Sequence, residues 1–407
     1  MKRVGIIGGG AAGVFCAIQM GSHSNLDVDI IEKSGELLRK VKISGGGRCN
    51  VTHHFVSNAQ FIKNYPRGSS ILKKNFDQFG PMDMQVWLES RGVILKTEAD
   101  GRMFPSSNDS QTIIDLFLSE LQKQKIAIKF HTEVLDLKRS QDKWEMSTNN
   151  GFYLYDYLVI ASGGAQKPRD LDFLSSIGIQ TISPVPSLFT FKILDKNLTS
   201  LMGLSVNKAT VKIVGTKLSE TGPVLITHWG LSGPAVLKLS AWGAFVLHEK
   251  NYEFDIQVNW LEDKNDLETL TTLLQIQTKH PKATISNQKI SDIPARLWSY
   301  LLSKSEILET KKWSELSKKD LNRFTHNLVQ SNFSIRGKTT YKEEFVTAGG
   351  VETEQLNASK MEHNHHPNIY FIGEITNIDG ITGGFNFQNA WTSAVVCARD
   401  IMQKAKS

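Results

Sequence analysis

The fold is decided near the start of the chain, by the stretch Val4-Gly5-Ile6-Ile7-Gly8-Gly9-Gly10-Ala11-Ala12-Gly13. The apolar run at residues 4–7 predicts a buried strand, and the pattern over Ala11–Met20 predicts a helix directly after the glycines. In this G-x-G-x-x-G pattern the first glycine permits a tight turn, and the second lets the backbone approach a pyrophosphate. The third glycine lets the helix pack closely on the strand. The stretch therefore predicts the first βα turn of a dinucleotide-binding domain.

A second buried strand at residues 28–32 completes a βαβ unit. It ends at Glu32, 19 residues after Gly13, close to the spacing of about 20 expected for an acid that binds a ribose. A carboxylate at this position disfavours a 2′-phosphate, so the pattern favours FAD or NAD over NADP.

The other end of the chain favours FAD over NAD. An apolar strand at residues 369–372 is followed by Gly373 and Glu374, which places a carboxylate where a ribityl chain lies in a Rossmann-type flavoprotein. Residues 382–388, rich in glycine, then open the last helix. Their backbone N–H groups and the positive helix end suit the pyrimidine edge of a flavin, where negative charge develops on reduction.

The texture of the sequence changes between these two ends. Short strand patterns at residues 189–262 predict a β-barrel-like subdomain, and helical patterns follow, including Lys318–Val329. We therefore expect an α/β fold with three sections: a Rossmann-like FAD-binding domain formed by residues 1–188 and 339–407, and between them an inserted substrate domain. The insert, residues 189–338, divides into a β part at about 189–262 and a helical basic part at about 263–338.

Composition narrows the class of protein. No run reaches the roughly 18 apolar residues of a membrane helix, and the basic start at Lys2 leads into glycine-rich structure rather than a targeting segment. The cysteines Cys16, Cys49 and Cys397 lie far apart without a C-x-x-C pair. We therefore expect a cytoplasmic protein that has neither a disulfide framework nor a zinc site.

At these motifs the chain resembles the BaiN/RdsA-like family of NAD(P)/FAD-dependent oxidoreductases, over essentially its whole length. The most specific matches are Lys42-Ile43-Ser44-Gly45-Gly46-Gly47-Arg48-Cys49-Asn50 and Thr227-His228-Trp229-Gly230-Leu231-Ser232-Gly233-Pro234. The first glycine motif and residues 346–351 and 371–390 extend the resemblance.

The resemblance implies FAD held by both chain ends, an insert over the flavin, and reductase chemistry. Members of the family are linked to bile-acid dehydroxylation and to dihydrouridine formation in large-subunit ribosomal RNA. This chain departs from the family pattern in a shorter loop after Gly164 and in Asn377, where the family often has an aspartate.

The residues that we expect to contact the cofactor lie in the glycine motifs, at strand ends and beside them. They are Gly8, Gly10, Ala12, Gly13, Glu32, Lys33, Arg39, Lys40, Ser44, Gly46, Gly47, Arg48, Asn50, Val134, Ala161, Ser162, Gly163, Gly373, Glu374, Gly383, Gly384, Phe385 and Asn386.

Arg48 and Cys49 are the candidate catalytic residues. Arg48 can hold a carboxylate, a phosphate or a carbonyl-bearing ring. In reduction of an activated carbon–carbon double bond, flavin supplies hydride to one carbon and a side-chain acid protonates the other. Cys49 is the candidate acid, and the alternative is that its thiol only packs in a tight loop.

Positive charge is concentrated in one region. Residues 264–342 contain fourteen Lys or Arg and seven Asp or Glu, whereas the net charge of the whole chain is +6. Trp298, Tyr300, Trp313 and Phe324 are interleaved with these charges. This pattern suits a nucleic acid, with phosphates on the cations and bases on the aromatics, and the family resemblance implies that the nucleic acid is ribosomal RNA. The alternative is a set of amphipathic helices with lysine-rich outer faces and aromatics in the core.

Three functions remain open at this point. The first is reduction of uridine in ribosomal RNA, and the second is reduction of a small enone-like or steroid-like molecule. The third is methylation of RNA with FAD and a folate. Because the chain has a single full dinucleotide motif, NAD(P)H as electron donor is expected to bind transiently or through the insert. We expect no metal, and the histidines at 363, 365 and 366 are interpreted as a solvated loop.

Overall fold

The computed structural model describes residues 1–290, 293–339 and 346–406. Contacts between Cα atoms divide the chain into two compact units. The first is Met1–Ser187 with Tyr341–Ser407, and the second is Leu188–Thr340.

Strands of the described residues are numbered in chain order as follows: β1 (Lys2–Ile7), β2 (Leu26–Ile31), β3 (Thr52–His53), β4 (Leu95–Thr97), β5 (Arg102–Pro105), β6 (Ala127–Lys129), β7 (Val134–Ser140), β8 (Lys143–Thr148), β9 (Gly151–Tyr155), β10 (Tyr157–Ile160), β11 (Thr181–Pro186), β12 (Thr190–Ile193), β13 (Ser205–Ile213), β14 (Ser219–Thr227), β15 (Gly230–Ser232), β16 (Glu253–Asn259), β17 (Ser331–Thr339), β18 (Thr347–Val351) and β19 (Ile369–Phe371).

Helices are numbered in the same way: α1 (Ala11–Met20), α2 (Arg39–Gly47), α3 (Asn58–Phe61), α4 (Ser69–Asn75), α5 (Pro81–Glu89), α6 (Gln111–Lys123), α7 (Asp172–Ser175), α8 (Lys196–Thr199), α9 (Pro234–Trp242), α10 (Ala244–Glu249), α11 (Asp266–Lys279), α12 (Ala295–Lys304), α13 (Lys318–Val329) and α14 (Phe385–Lys404).

The first unit is built on a five-stranded sheet in the order β19-β10-β1-β2-β6, and all of its strand pairs are parallel. Its central strands are short and almost wholly buried, as expected for a sheet covered on both faces. Helix α1 packs against α6 and α14. Both ends of the chain are therefore needed to complete this Rossmann-like sheet, which confirms the expected fold class.

The second unit contains a closed antiparallel barrel in the order β12-β15-β14-β13-β16-β17. Strand β17 closes it by pairing with both β12 and β16. Fully buried apolar side chains, including Phe191, Val211 and Ile256, form its core. The assignment of residues 331–338 to a helical region is wrong, because they form most of β17. Their alternation of buried and exposed residues is that of a strand with one face in the core.

The aromatic residues of the basic region also lie in this core. Trp298, Tyr300, Trp313 and Phe324 are all buried. Trp298 donates its ring N–H to the Ile285 carbonyl at 2.9 Å, so its polar atom is satisfied inside the protein. The expectation that these rings stack on bases is therefore wrong, and the alternative of amphipathic elements with aromatics in the core is correct.

Within the described part of the chain, no helix combines the length and the apolar character that a membrane crossing requires.

Candidate cofactor site

Strands β1, β10 and β19 are parallel neighbours, so the loops that follow them meet at one edge of the sheet. The β1–α1 turn is packed closely here. A Cβ on Gly8 would lie 2.3 Å from the Ala161 carbonyl oxygen, and one on Gly13 would lie 2.0 Å from the Gly8 carbonyl oxygen. Gly8 also has φ of +112°, which favours glycine. At these two positions the backbone is packed too closely against other backbone atoms for any side chain to fit.

A second set of glycines faces open space instead. A Cβ added to Gly10, Gly46, Gly47 or Gly163 would meet no atom within 4 Å. These positions lie in the β1–α1 turn, at the end of α2 and after β10. Backbone that is bare on one side lets a ligand approach closely. These four open positions, which we call the cradle, contrast with Gly8 and Gly13, where an added Cβ would meet the protein itself.

Two helix N-termini add positive potential to the unit. Helix α1 begins after Gly10 and α14 after Gly384, and neither start has a side-chain cap or an acidic residue in its first turn. Uncapped N–H groups at a helix start attract an anion. This arrangement fits the pyrophosphate of a dinucleotide at α1 and the electron-rich edge of a flavin at α14.

Glu32 lies beside the first turn, at the end of β2. Its Oε2 accepts a hydrogen bond from the Gly9 N–H at 2.7 Å, and its Oε1 accepts from the Ser34 N–H and hydroxyl at 2.8 and 2.7 Å. The carboxylate is therefore fixed against the glycine turn, in the place of a ribose-binding acid. Lys33 is exposed, and Val134 is half-buried at the start of β7.

Glu374 follows β19 at the same edge. Lys40, at the start of α2, places its Nζ 2.7 Å from Glu374 Oε2, and the Thr347 N–H donates to Oε1 at 3.0 Å. Gly373 has φ of +70°, and a Cβ there would lie 2.8 Å from the Ala12 Cβ. Residues expected to bind cofactor from both chain ends are thus in contact. Arg39, next to Lys40, and Ser162, after β10, are both exposed.

The C-terminal part of α2 departs from helical geometry and forms a loop that continues to Cys49. Ser44 leaves helical geometry, and Gly45, Gly46, Gly47 and Cys49 all have positive φ. The Cys49 N–H donates to the Ser44 carbonyl at 3.0 Å. A positive φ is uncommon for cysteine, so the fold holds this residue in place against a local preference.

The Cys49 thiol has no solvent exposure. Burial raises its pKa to about 12, opposed by a hydrogen bond with the Ser44 side chain. The thiol therefore keeps its proton at neutral pH. Complete burial favours the packing role that the sequence left open, and the role of proton donor stays a prediction.

Arg48 is held on the outside of the same loop. Its Nη1 lies 2.7 Å from Glu98 Oε1, and its guanidinium stacks 4.0 Å above the Phe104 ring. About a third of the side chain is exposed. Arg48 is thus anchored by protein partners, and its role toward a ligand is not established by this geometry.

Asn50 joins this loop to the C-terminal glycines. In the amide orientation that satisfies its neighbours, it donates to the Thr52 and Met103 carbonyls and accepts from the Gly384 N–H at 3.0 Å. Asn386 closes the next turn by exchanging two hydrogen bonds of 2.9 Å with the Gly380 backbone. These side chains shape the loop, so the backbone is the part that remains for a cofactor.

Phe385 and Gly383 also contact other residues of the protein. The Phe385 ring is buried and stacks on His53, with ring centroids 4.7 Å apart. The His53 Nδ1 lies 3.0 Å from the Gly383 carbonyl oxygen. Phe385 therefore supports the loop from behind.

The sequence reasoning missed a polar cluster behind this loop. Asp379 is fully buried, forms a two-pronged ion pair with Arg67 and accepts a hydrogen bond from the Ser187 hydroxyl at 2.7 Å. Burial raises the pKa of Asp379, and Arg67 and Ser187 oppose that rise. The one available signal was Asp379 beside Gly380, inside a motif already singled out. Arg67 lies 312 positions away in the sequence.

The expectation of a solvated histidine loop holds for His365, which is exposed, and is wrong for His363. His363 is buried, and its Nδ1 accepts from the N–H groups of His365 and His366 at 3.2 and 3.1 Å. Its ring therefore organises the turn. Among the described residues, no three His, Cys, Asp or Glu side chains are grouped as a metal-binding set.

Comparisons with known proteins extend this picture. The family model described as HI0933-like protein Rossmann domain matches residues 2–400. The ribosomal RNA dihydrouridine synthase of Escherichia coli (strain K12) is 30% identical over 414 residues, which cover 99% of this chain and 98% of that protein.

A second relative has another substrate in its name. The 3-dehydro-bile acid delta(4,6)-reductase of Clostridium scindens is 27% identical, with 98% of each chain covered. Among solved structures, a 3-ketosteroid-delta4-(5alpha)-dehydrogenase from Rhodococcus jostii RHA1 has a TM-score of 0.51 at 11% identity, covering 98% of this chain and 97% of that one. This last likeness concerns the fold. The protein therefore belongs to the HI0933-like Rossmann family and is a flavoprotein oxidoreductase.

Proposed function

We propose that this protein is an FAD-dependent reductase that converts uridine to dihydrouridine in ribosomal RNA, in the large subunit. The observation that carries the proposal is the similarity to the Escherichia coli ribosomal RNA dihydrouridine synthase, at 30% identity with nearly all of both chains covered. A second ribosomal RNA dihydrouridine synthase, from Haemophilus influenzae, is 29% identical over 98% of this chain.

The choice of FAD is supported by the form of the cradle. A dinucleotide needs bare backbone and a helix start at its pyrophosphate, and Gly10 provides both. It also needs a carboxylate for the ribose, which Glu32 supplies. The second uncapped helix start, at Gly384, suits a flavin ring rather than a nicotinamide.

The reaction adds two hydrogens across the double bond between C5 and C6 of uracil. Bound FAD, once reduced, would supply hydride to C6, and an acid of the protein would give a proton to C5, which is alpha to the C4 carbonyl. With NAD(P)H as the proposed donor, uridine, NAD(P)H and a proton become dihydrouridine and NAD(P)+. The protein must orient the uracil and stabilise charge on its carbonyl oxygens. The uridine also has to leave its stack, at a cost of a few kcal/mol, which favours loops or immature RNA.

A second candidate substrate is a small enone, for which the bile-acid reductase relative is the specific observation. A dienone steroid and a uracil share one reactive feature, a carbon–carbon double bond conjugated to a carbonyl. The same hydride and proton delivery serves both, so the reaction class is common to the two candidates and only the substrate pocket distinguishes them.

The test is the dihydrouridine content of ribosomal RNA, measured by nucleoside mass spectrometry in a strain with the gene deleted. We expect loss of a dihydrouridine, restored by the wild-type chain but not by a Gly10→Val chain that cannot hold FAD. Purified holoenzyme is then given NAD(P)H with either ribosomal RNA or a conjugated steroid enone. Turnover of the enone with no change in RNA would replace the first substrate by the second.

A further inference from the structure

Two segments of the inserted unit run side by side next to the end of α11. The Ile285 N–H donates to the Lys311 carbonyl and the Trp313 N–H to the Ala283 carbonyl, both at 3.0 Å. The side-chain amide of Gln277, in α11, donates to the Trp313 carbonyl at 2.8 Å. With Trp313 fully buried beneath them, the last turn of α11, these two segments and the start of α13 are joined in one surface.

Five exposed lysines stand on these joined segments, and we call them the lysine surface: Lys279, Lys282, Lys312, Lys318 and Lys319. None of the five forms an ion pair with a carboxylate of the described residues. Five lysines on these joined segments, none of them paired with a described carboxylate, are an electrostatic feature that an anionic partner can neutralise.

Both acids of residues 311–322, Glu315 and Asp320, already accept hydrogen bonds from other groups of the protein. Glu315 Oε2 accepts from the Lys312 N–H at 2.9 Å, which caps a short turn. Asp320 accepts from the Ser317 N–H at 3.0 Å and from Lys311 Nζ at 2.9 Å. The hydrogen bond from Lys311 lowers the pKa of Asp320 to about 2. The carboxylates of this stretch therefore cap its turns and hold Lys311, and they form no ion pair with the five lysines of the surface.

The partner chemistry follows from what surrounds these lysines. The aromatic side chains of the region, including Trp298 and Trp313, are buried and cannot stack on bases. Ammonium groups without aromatics select phosphates, whose positions do not depend on base sequence. The surface therefore fits the phosphate backbone of folded RNA.

We propose that the lysine surface binds the phosphate backbone of the RNA substrate and sets the affinity of the protein for RNA without reading its sequence. This inference rests on the proposed function. Five phosphate contacts on a duplex give a slope of about −4.5 when the logarithm of the binding constant is plotted against that of the salt concentration.

The test uses the FAD-loaded full chain with three substitutions, Lys282→Glu, Lys312→Glu and Lys319→Glu. The matched control carries Lys212→Glu, Lys217→Glu and Lys250→Glu, which change the net charge equally on exposed lysines elsewhere in the same unit. Binding of a fluorescent, folded ribosomal RNA fragment is followed by anisotropy from low to moderate salt.

We expect the surface variant to bind about 100-fold more weakly than the control and its salt slope to become shallower by 2 to 3, as for the loss of three phosphate contacts. Flavin content and reduction by NAD(P)H should stay unchanged in both variants, which shows that they are folded. If the Lys→Glu variants do not fold, the same positions are changed to Gln instead. Equal weakening in both triple variants overturns the proposal, because net charge alone then explains the binding.

Dihydrouridine content separates this inference from the proposed function. If both triple variants restore dihydrouridine and bind RNA as the wild type does, the surface proposal fails and the function stands. If the wild type binds RNA through these lysines but restores no dihydrouridine, the function fails and the surface stands. Binding of an acidic protein but not of RNA would overturn the RNA assignment.

Discussion

The guanidinium of Arg67 donates two hydrogen bonds to the carboxylate of Asp379, which has no solvent exposure. We expect Arg67→Met to lower the free energy of unfolding by about 3–5 kcal/mol, because it leaves a buried acid without its cation. Urea-induced unfolding of the apoprotein measures this loss.

The matched control is Lys42→Met. Lys42 and Glu36 form a 3.2 Å ion pair in which both side chains are more than half exposed. Its loss should cost less than about 1 kcal/mol. Similar losses in the two variants would show that burial of the Arg67–Asp379 pair does not govern its contribution.

Gly10 and Gly13 should respond differently to a larger side chain. Gly10 faces open space, so Gly10→Val should fold but bind no FAD, since its side chain fills the pyrophosphate position. Gly13→Val would press against the Gly8 carbonyl and should destabilise the fold itself. Gel filtration with flavin absorbance, together with thermal unfolding of the apoproteins, distinguishes the two effects. A yellow Gly10→Val protein would contradict the cofactor assignment.

Cys49 tests the source of the proton. If its thiol is the acid, Cys49→Ala should lower turnover by about 100-fold while flavin content and reduction by NAD(P)H stay unchanged. Cys49→Gly is a useful second variant, because glycine accepts the positive φ at this position. Normal turnover in both variants would leave packing as the function of the thiol.

His363 predicts a pH dependence of stability. Burial, with His366 and His365 nearby, lowers its pKa from 6.5 to about 4. The unfolded chain therefore takes up a proton near pH 6.5, whereas the folded chain does not until about pH 4. Stability should fall as the pH drops through this window. His363→Asn keeps an acceptor for the two N–H groups but does not titrate, so its Tm should fall less between pH 6.5 and 4. If Tm falls with pH equally in the wild type and in His363→Asn, protonation of His363 is not the cause of the loss of stability.

Sequence reasoning succeeded where local signals are strong. Ala11–Met20 is a helix with the expected bounds, because glycines mark its start and a strand precedes it. It failed for β17, where residues 331–339 follow α13 without a glycine or proline to mark the change. Their strand character depends on pairing with β12 and β16, far away in sequence.

The candidate site shows the same division. Glycine motifs predicted positions where backbone faces open space, as it does at Gly10, Gly46, Gly47 and Gly163. The Arg67–Asp379 pair was missed, since a contact over 312 positions leaves no local pattern. The sequence also did not decide whether Trp298 and Trp313 are buried, because amphipathic spacing does not tell which face a neighbouring element will cover.

The place of β19 beside β10 has a consequence for biosynthesis. Strand β19 and helix α14 follow the barrel strands in the chain, so they are synthesised after the barrel, which is complete by Thr339. The inserted unit can therefore fold while translation continues. The Rossmann-like sheet keeps an open edge at β10 until β19 has been made, so this sheet is completed later than the barrel.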